Sequence, residues 1–182
     1  LNNDTADMGV PVAFEFFNSV WWAICGTRIF KNSGQVDDAF SDENIASSQT
    51  DYSSDESDLE LFNDALYAST TDGVFKKPLG TEPQAWGSSL VTLNTAFIHL
   101  LLAFGARLYV TDADTRVYSL DTSDVSTVSN GPPNTNSNAL DLIVYGGALK
   151  NTITCMKATT TYIWLGTLNR AKGKGRVYYW DG

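Results

Sequence analysis

Few residues in this chain are of a type and spacing that could perform chemistry. The single histidine, His99, lies in the apolar run FIHLLLAF. As a general base it would need an orienting carboxylate and a nucleophile, and neither can be assigned to it. A structural role is expected. Cys25 and Cys155 are far apart, and neither belongs to a CxxC pair. They are read as two separate buried thiols, with a disulfide as the alternative. One histidine and two unclustered cysteines give no ligand set for zinc. Asp112 and Asp114 in TDADT could ligate calcium, but a hairpin turn accounts for them more simply. STTDGVF, from Ser69 to Phe75, is partly like the Asp-box of sialidases. Asp72 falls three residues after Ser69 rather than two, no Trp follows, and the carboxylates of a glycosidase cannot be assembled. No catalytic residue, cofactor or metal site is therefore expected, and the chain is read as not an enzyme.

Charge offers more. From Asn32 to Phe75 there are eleven acidic residues and no Lys or Arg. Within that stretch SSQTDYSSDESD reads as a solvated loop, or as a contact for calcium or a basic partner. Calcium loops need carboxylates at ordered alternate positions around a glycine turn, and this run lacks that order. Near the end, GTLNRAKGKGR holds Arg170, Lys172, Lys174 and Arg176. A phosphate loop would lead into a helix through Lys-Ser or Lys-Thr, whereas here a strand follows. The segment is expected to be an exposed basic hairpin, or a docking contact for an acidic neighbour such as the acidic linker of another subunit. Possible partner contacts are thus Arg170, Lys172, Lys174 and Arg176 on one side, and Asp55, Glu56 and Asp58 on the other. A net charge of −9 argues against a nucleic-acid surface. The solvent-facing member of each pair Trp21–Trp22 and Tyr178–Tyr179 could stack on sugars or pack between sheets.

These residues sit in a repeat. FEFFNSVWWAICGTRIFK (Phe14 to Lys31) lies without a gap on LELFNDALYASTTDGVFK (Leu59 to Lys76) after a shift of 45 residues. Glu15, Phe17, Asn18, Ala23, Phe30 and Lys31 recur identically, and Trp22 becomes Tyr67. A third copy is LLAFGARLYVTDADTRVYSL, with Phe104 after Phe62, Tyr109 after Tyr67, and Tyr118 after Phe75 past one inserted residue. A fourth spans Ile153 to Trp180, with Trp164 in the place of Tyr109 and an expanded turn from Leu168 to Gly175. Each unit predicts three short antiparallel strands joined by tight turns. The first set is expected near 13–17, 20–25 and 28–31. Fourth strands are expected in the variable linkers, for example Ser89 to Leu93 or Val125 to Val128. SNGPPNTNSN (Ser129 to Asn138) reads as a second linker. Units of this kind at 40 to 60 residues suit the four-stranded blades of a β-propeller.

The stretches LYVTDADTRVYSLD and IWLGTLNRAKGKGRVYYWDG resemble the two central strands of blades in quinoprotein-like and sensor-type bacterial and viral propellers. They are also similar to propellers in phage virion structural proteins. The resemblance covers four stretches of about twenty residues. It implies an all-β propeller with four recognisable blades, near 10–45, 56–95, 97–130 and 140–182, forming one domain or a fragment of one. No quinoprotein catalytic or cofactor motif accompanies it, and the glycine–histidine dipeptide of tryptophan–aspartate repeats is absent.

Composition agrees with such a fold. Apolar residues make up 43% and aromatics 12%, rich in strand formers. No apolar run approaches the roughly eighteen residues of a membrane helix. Leu1 in place of Met, and the lack of a fourth strand after the last repeat, lead to the expectation of a larger propeller. The alternative is that Met8 to Val12 closes a four-bladed ring. Degenerate repeats, long polar linkers and the phage likeness lead to the expectation of a structural module in a large assembly, as a phage tail or capsid-associated component of a virion. Other protein subunits would be its partners. The alternative is a carbohydrate- or ligand-binding propeller of an extracellular, cell-surface or sensor protein.

Overall fold

The computed structural model describes residues 11–25, 28–32, 41–43, 57–70, 73–79, 100–112, 116–121, 140–141, 151–169 and 172–181. All regular structure among them is β. The expected strands at Ser89 to Leu93 and Val125 to Val128 lie outside these residues, as do His99, Asp55, Glu56, Asp72, Asp114, Arg170 and the linker 129–138. The chain divides into two compact units, residues 1–90 and 91–182, each with its own core.

Unit one begins with β1 (Ala13–Phe17), β2 (Val20–Cys25), β3 (Arg28–Lys31) and β4 (Ser41–Glu43), an antiparallel sheet in that order. The first three coincide with the strands expected from the sequence. A second sheet follows, of β5 (Asp58–Phe62), β6 (Ala65–Thr70) and β7 (Gly73–Pro78). The turns explain themselves. Asn18 and Ser19 have φ of 52° and 66°, and Asn63 and Asp64 have 46° and 54°. Two successive positive φ values define the tight hairpin turn whose twist matches antiparallel strands, and Asn and Asp tolerate that region best after Gly.

The 45-residue repeat is also a repeat of contacts. Trp22 lies opposite Glu15 and Lys31, and Tyr67 opposite Glu60 and Lys76. The Lys31 ammonium stands 5.8 Å from the Trp22 ring centroid, and Lys76 stands 5.7 Å from that of Tyr67. Each is a cation held over an aromatic face. Two sheets then stack. The face of the first sheet that carries Trp22, with Phe17, Ile24 and Ile29, packs on Leu59, Leu66, Ala68 and Phe75 of the second. The latter four lie on the side of the second sheet away from Tyr67, as strand alternation requires. Lys77 reaches back from the second sheet, its ammonium 5.1 Å from the Trp22 centroid, and the indole Nε1 donates to Phe17 O at 3.2 Å.

Unit two repeats the scheme. β8 (Leu101–Phe104), β9 (Arg107–Asp112), β10 (Arg116–Asp121) and β11 (Leu140–Asp141) form the third sheet, and β12 (Asn151–Ala158), β13 (Ile163–Asn169) and β14 (Lys174–Trp180) the fourth. β11 pairs with β10. Leu140 and Asp141 thus complete the third sheet, although the sequence assigns them to the start of the fourth blade. Tyr109 lies opposite Leu102 and Ser119, and its face packs on Ile153, Met156, Ile163 and Leu165 of the fourth sheet. Phe104 and Tyr109 stand 6.4 Å apart, as Phe62 and Tyr67 stand 6.1 Å apart.

The fourth ring departs from expectation. Trp164 does occupy the equivalent register, opposite Lys157 and Tyr179. Trp22, Tyr67 and Tyr109 are buried, however, while Trp164 is 41% exposed. Within each unit the ring face of the first of its two sheets is covered by the opposite face of the second. The fourth sheet turns its opposite face to the third, and its own ring face is exposed at Trp164, whereas the ring face of the second sheet is buried at Tyr67.

Candidate interaction surface

That open face is built by simple alternation. Along β13, Ile163, Leu165, Thr167 and Asn169 point inward, while Trp164 and Leu168 are exposed. Directly opposite residues share a face, so the cross-strand row Lys157–Trp164–Tyr179 and the row Cys155–Gly166–Val177 both lie outward. Tyr179 is 66% and Val177 71% exposed. The Trp164 and Tyr179 ring centroids are 5.6 Å apart, and Tyr162 stands edge-on to Tyr179 at 5.3 Å. Tyr162 is fixed at the β12–β13 turn, where its carbonyl accepts from the Thr159 N–H at 2.8 Å and its N–H donates to Thr159 Oγ1 at 3.2 Å. Three aromatic rings and two aliphatic side chains thus make an apolar platform, and exposed Lys157 lies directly opposite Trp164 on the neighbouring strand.

Thr154 is the reason Cys155 faces outward. The β12–β13 register shifts between Ile153 and Cys155, a β-bulge that inserts one residue and moves the thiol onto the exposed side. Neither cysteine forms a disulfide; Cys155 is exposed and Cys25 buried. Cys25 sits with Ala23 and Phe30 as a small hydrophobe, as expected. For Cys155 the expectation of burial is corrected, because the sheet face it joins is uncovered. Gly166 makes room beside it, since a Cβ there would lie 2.5 Å from Cys155 Sγ.

The basic hairpin borders the platform. Asn169 O accepts from the N–H groups of Lys172 at 3.2 Å and Gly173 at 2.8 Å, and Asn169 Oδ1 accepts from Lys172 N–H at 3.0 Å. Gly173 takes φ 60°, which closes the turn. Lys172, Lys174 and Arg176 are exposed on this one hairpin. Of the acidic set, Asp58 is described at the start of β5, where its Oδ1 accepts from the Leu59 N–H at 2.9 Å. Lys157, Tyr162 and Val177 were not singled out from sequence. Alternation in β13 and β14 points to Val177, but the bulge hides the corresponding signal in β12.

A smaller exposed apolar patch lies in unit one, on a sheet side whose Ala23, Cys25 and Phe30 are fully buried. Phe14 is 51% and Phe16 48% exposed, and Trp21 stands 5.2 Å from Phe16. By register these three share the side of the first sheet away from Trp22. Of the aromatic pairs, the outward members are therefore Trp21 and Tyr179.

No group of three or more His, Cys, Asp or Glu among the described residues is arranged to hold a metal ion. No helix among them is long and apolar enough to cross a membrane. No protein-family model matches the chain, and no curated protein matches it.

Proposed function

We propose that this chain is a non-catalytic interaction module of β-propeller type, serving a large protein assembly as a phage tail or capsid-associated component of a virion. The observation that carries this reading is the repeated stacking of ring face on opposite face, beside exposed aromatic clusters at Phe14–Phe16–Trp21 and at Tyr162–Trp164–Tyr179. Sheets stacked in that order are the building principle of propeller blades, and the repeat resembles the blades of phage structural proteins. A rigid stack of sheets can hold several neighbours without chemistry, and an open apolar platform with a basic border suits that task. Mass spectrometry of purified particles from the source tests it. The chain is expected there in stoichiometric amounts, and a free secreted monomer without cross-linked partners would sink the reading.

The Tyr162–Tyr179–Trp164 cluster favours one alternative, a carbohydrate-binding propeller, because sugars stack on exposed aromatic faces. A glycan array decides it. Micromolar binding that is lost on Trp164→Ala would replace the assembly reading.

A further inference from the structure

We infer that the outer edge of β14 takes up an extended acidic segment of a partner protein as the fourth strand of its sheet. The inference rests on the assembly reading above and names the chemistry of one partner. Its ground is how the chain completes two of its own sheets. In the first sheet β4 pairs antiparallel with the third strand, β3, and two of its three residues are Asp42 and Glu43. Lys31 of β3 forms an ion pair with Glu43 of β4, Nζ to Oε1 at 2.9 Å. In the third sheet β11 pairs antiparallel with β10, again the third strand, and its Asp141 lies opposite Arg116. In both sheets the fourth strand is short and acidic, and the strand it joins carries a base. β14 holds the place of β3 and β10 in the fourth sheet, and no strand among the described residues pairs with its outer side.

The second sheet also stops at its third strand among the described residues, but β7 is a poor acceptor. It ends on Pro78, which has no N–H to give, and its Val74, Phe75 and Lys77 are buried. β14 is the reverse. It contains no proline, and Lys174, Gly175, Arg176, Val177 and Tyr179 are exposed. An edge of unpaired N–H and C=O groups is a template for strand addition. Charge decides what adds. Residues 151–182 hold five basic residues and one acidic, net +4, in a chain of net −9. Lys174 and Arg176 repel a basic strand and favour an acidic one. They lie opposite Asn169 and Thr167, on the side of the sheet away from Val177 and Tyr179. Side chains of an added strand alternate in the same way. The segment that fits therefore carries Asp or Glu at two alternate positions, beside Lys174 and Arg176. Apolar residues between them extend the platform next to Val177 and Tyr179.

The test uses the full chain and a synthetic peptide of alternating Val and Glu, as long as the seven residues of β14. Hydrogen exchange followed by NMR should slow at alternate β14 amides, those that point away from β13. The same peptide with Lys in place of Glu should bind at least about ten-fold more weakly. The double variant Lys174→Glu, Arg176→Glu should reverse that preference, and Arg176→Glu alone serves should the double variant fail to fold by circular dichroism. Added salt should weaken the Glu peptide on wild type. Unchanged exchange along β14 at saturating peptide, or no binding at all, overturns the inference. So does equal binding of the Glu and Lys peptides. Tighter binding of oligothymidylate or of a glycan than of the Glu peptide overturns it as well, and makes the platform and its basic hairpin a nucleic-acid or sugar surface. Presence in purified particles without peptide uptake would defeat this inference alone. Peptide uptake by a protein absent from particles would defeat only the virion reading.

Discussion

Two tyrosines carry most of what single residues can tell here. Tyr178 Oη is buried without a hydrogen-bond partner among the described residues. An unpaired buried hydroxyl costs more than its removal does, so Tyr178→Phe should raise stability by about 1 kcal/mol, read from the urea midpoint. Loss of stability in that variant would mean that the hydroxyl has a partner. Tyr109 differs. Burial raises its pKa above the usual 10, while the nearby Arg107 guanidinium acts in the lowering direction. The folded state therefore holds the phenolic proton more tightly than the unfolded chain does. The associated stability is intact below pH 10 and is lost as pH rises through the folded pKa. Tyr109→Phe should flatten the alkaline limb of a stability–pH profile, and an unchanged limb would assign it to other groups.

The hairpins and their stacked faces give sharper expectations. Ser19 sits at φ 66°, a region that costs a side chain about 1–2 kcal/mol, against about 0.5–1 kcal/mol for the extra freedom of unfolded glycine. Strain wins, so Ser19→Gly should stabilise by about 0.5 kcal/mol in a thermal melt. Trp22 and Trp164 occupy one register in two environments, which makes them a matched pair. Trp22→Ala should cost about 3–5 kcal/mol, and Trp164→Ala less than about 1 kcal/mol in the isolated chain. Equal costs would contradict the difference in burial between the two rings. Strand positions in the first copy were legible because Phe14 to Lys31 recurs at a fixed shift and its turns are marked by Asn-Ser and Asn-Asp. The register of Trp164 was legible for the same reason. Its exposure was not, because burial depends on what packs against the face, and a strand's own pattern says nothing of that. In β12, unbroken alternation from buried Ile153 would set Cys155 and Lys157 inward, and the bulge at Thr154 turns them outward instead.

At the scale of the whole molecule, two units with separate cores share one construction and differ in charge. The acidic residues concentrate in unit one and the basic hairpin belongs to unit two. The bulge at Thr154 has a practical result. It places one reactive sulfur in the middle of the platform, while the other is sealed in unit one. A maleimide reagent will therefore mark a single position in the native protein, and will do so only while the platform is bare. The alkylation rate of Cys155 becomes a direct meter of occupancy. It should fall when a partner of any kind settles on the Trp164–Tyr179 face, whereas Cys25 should react only when the chain unfolds.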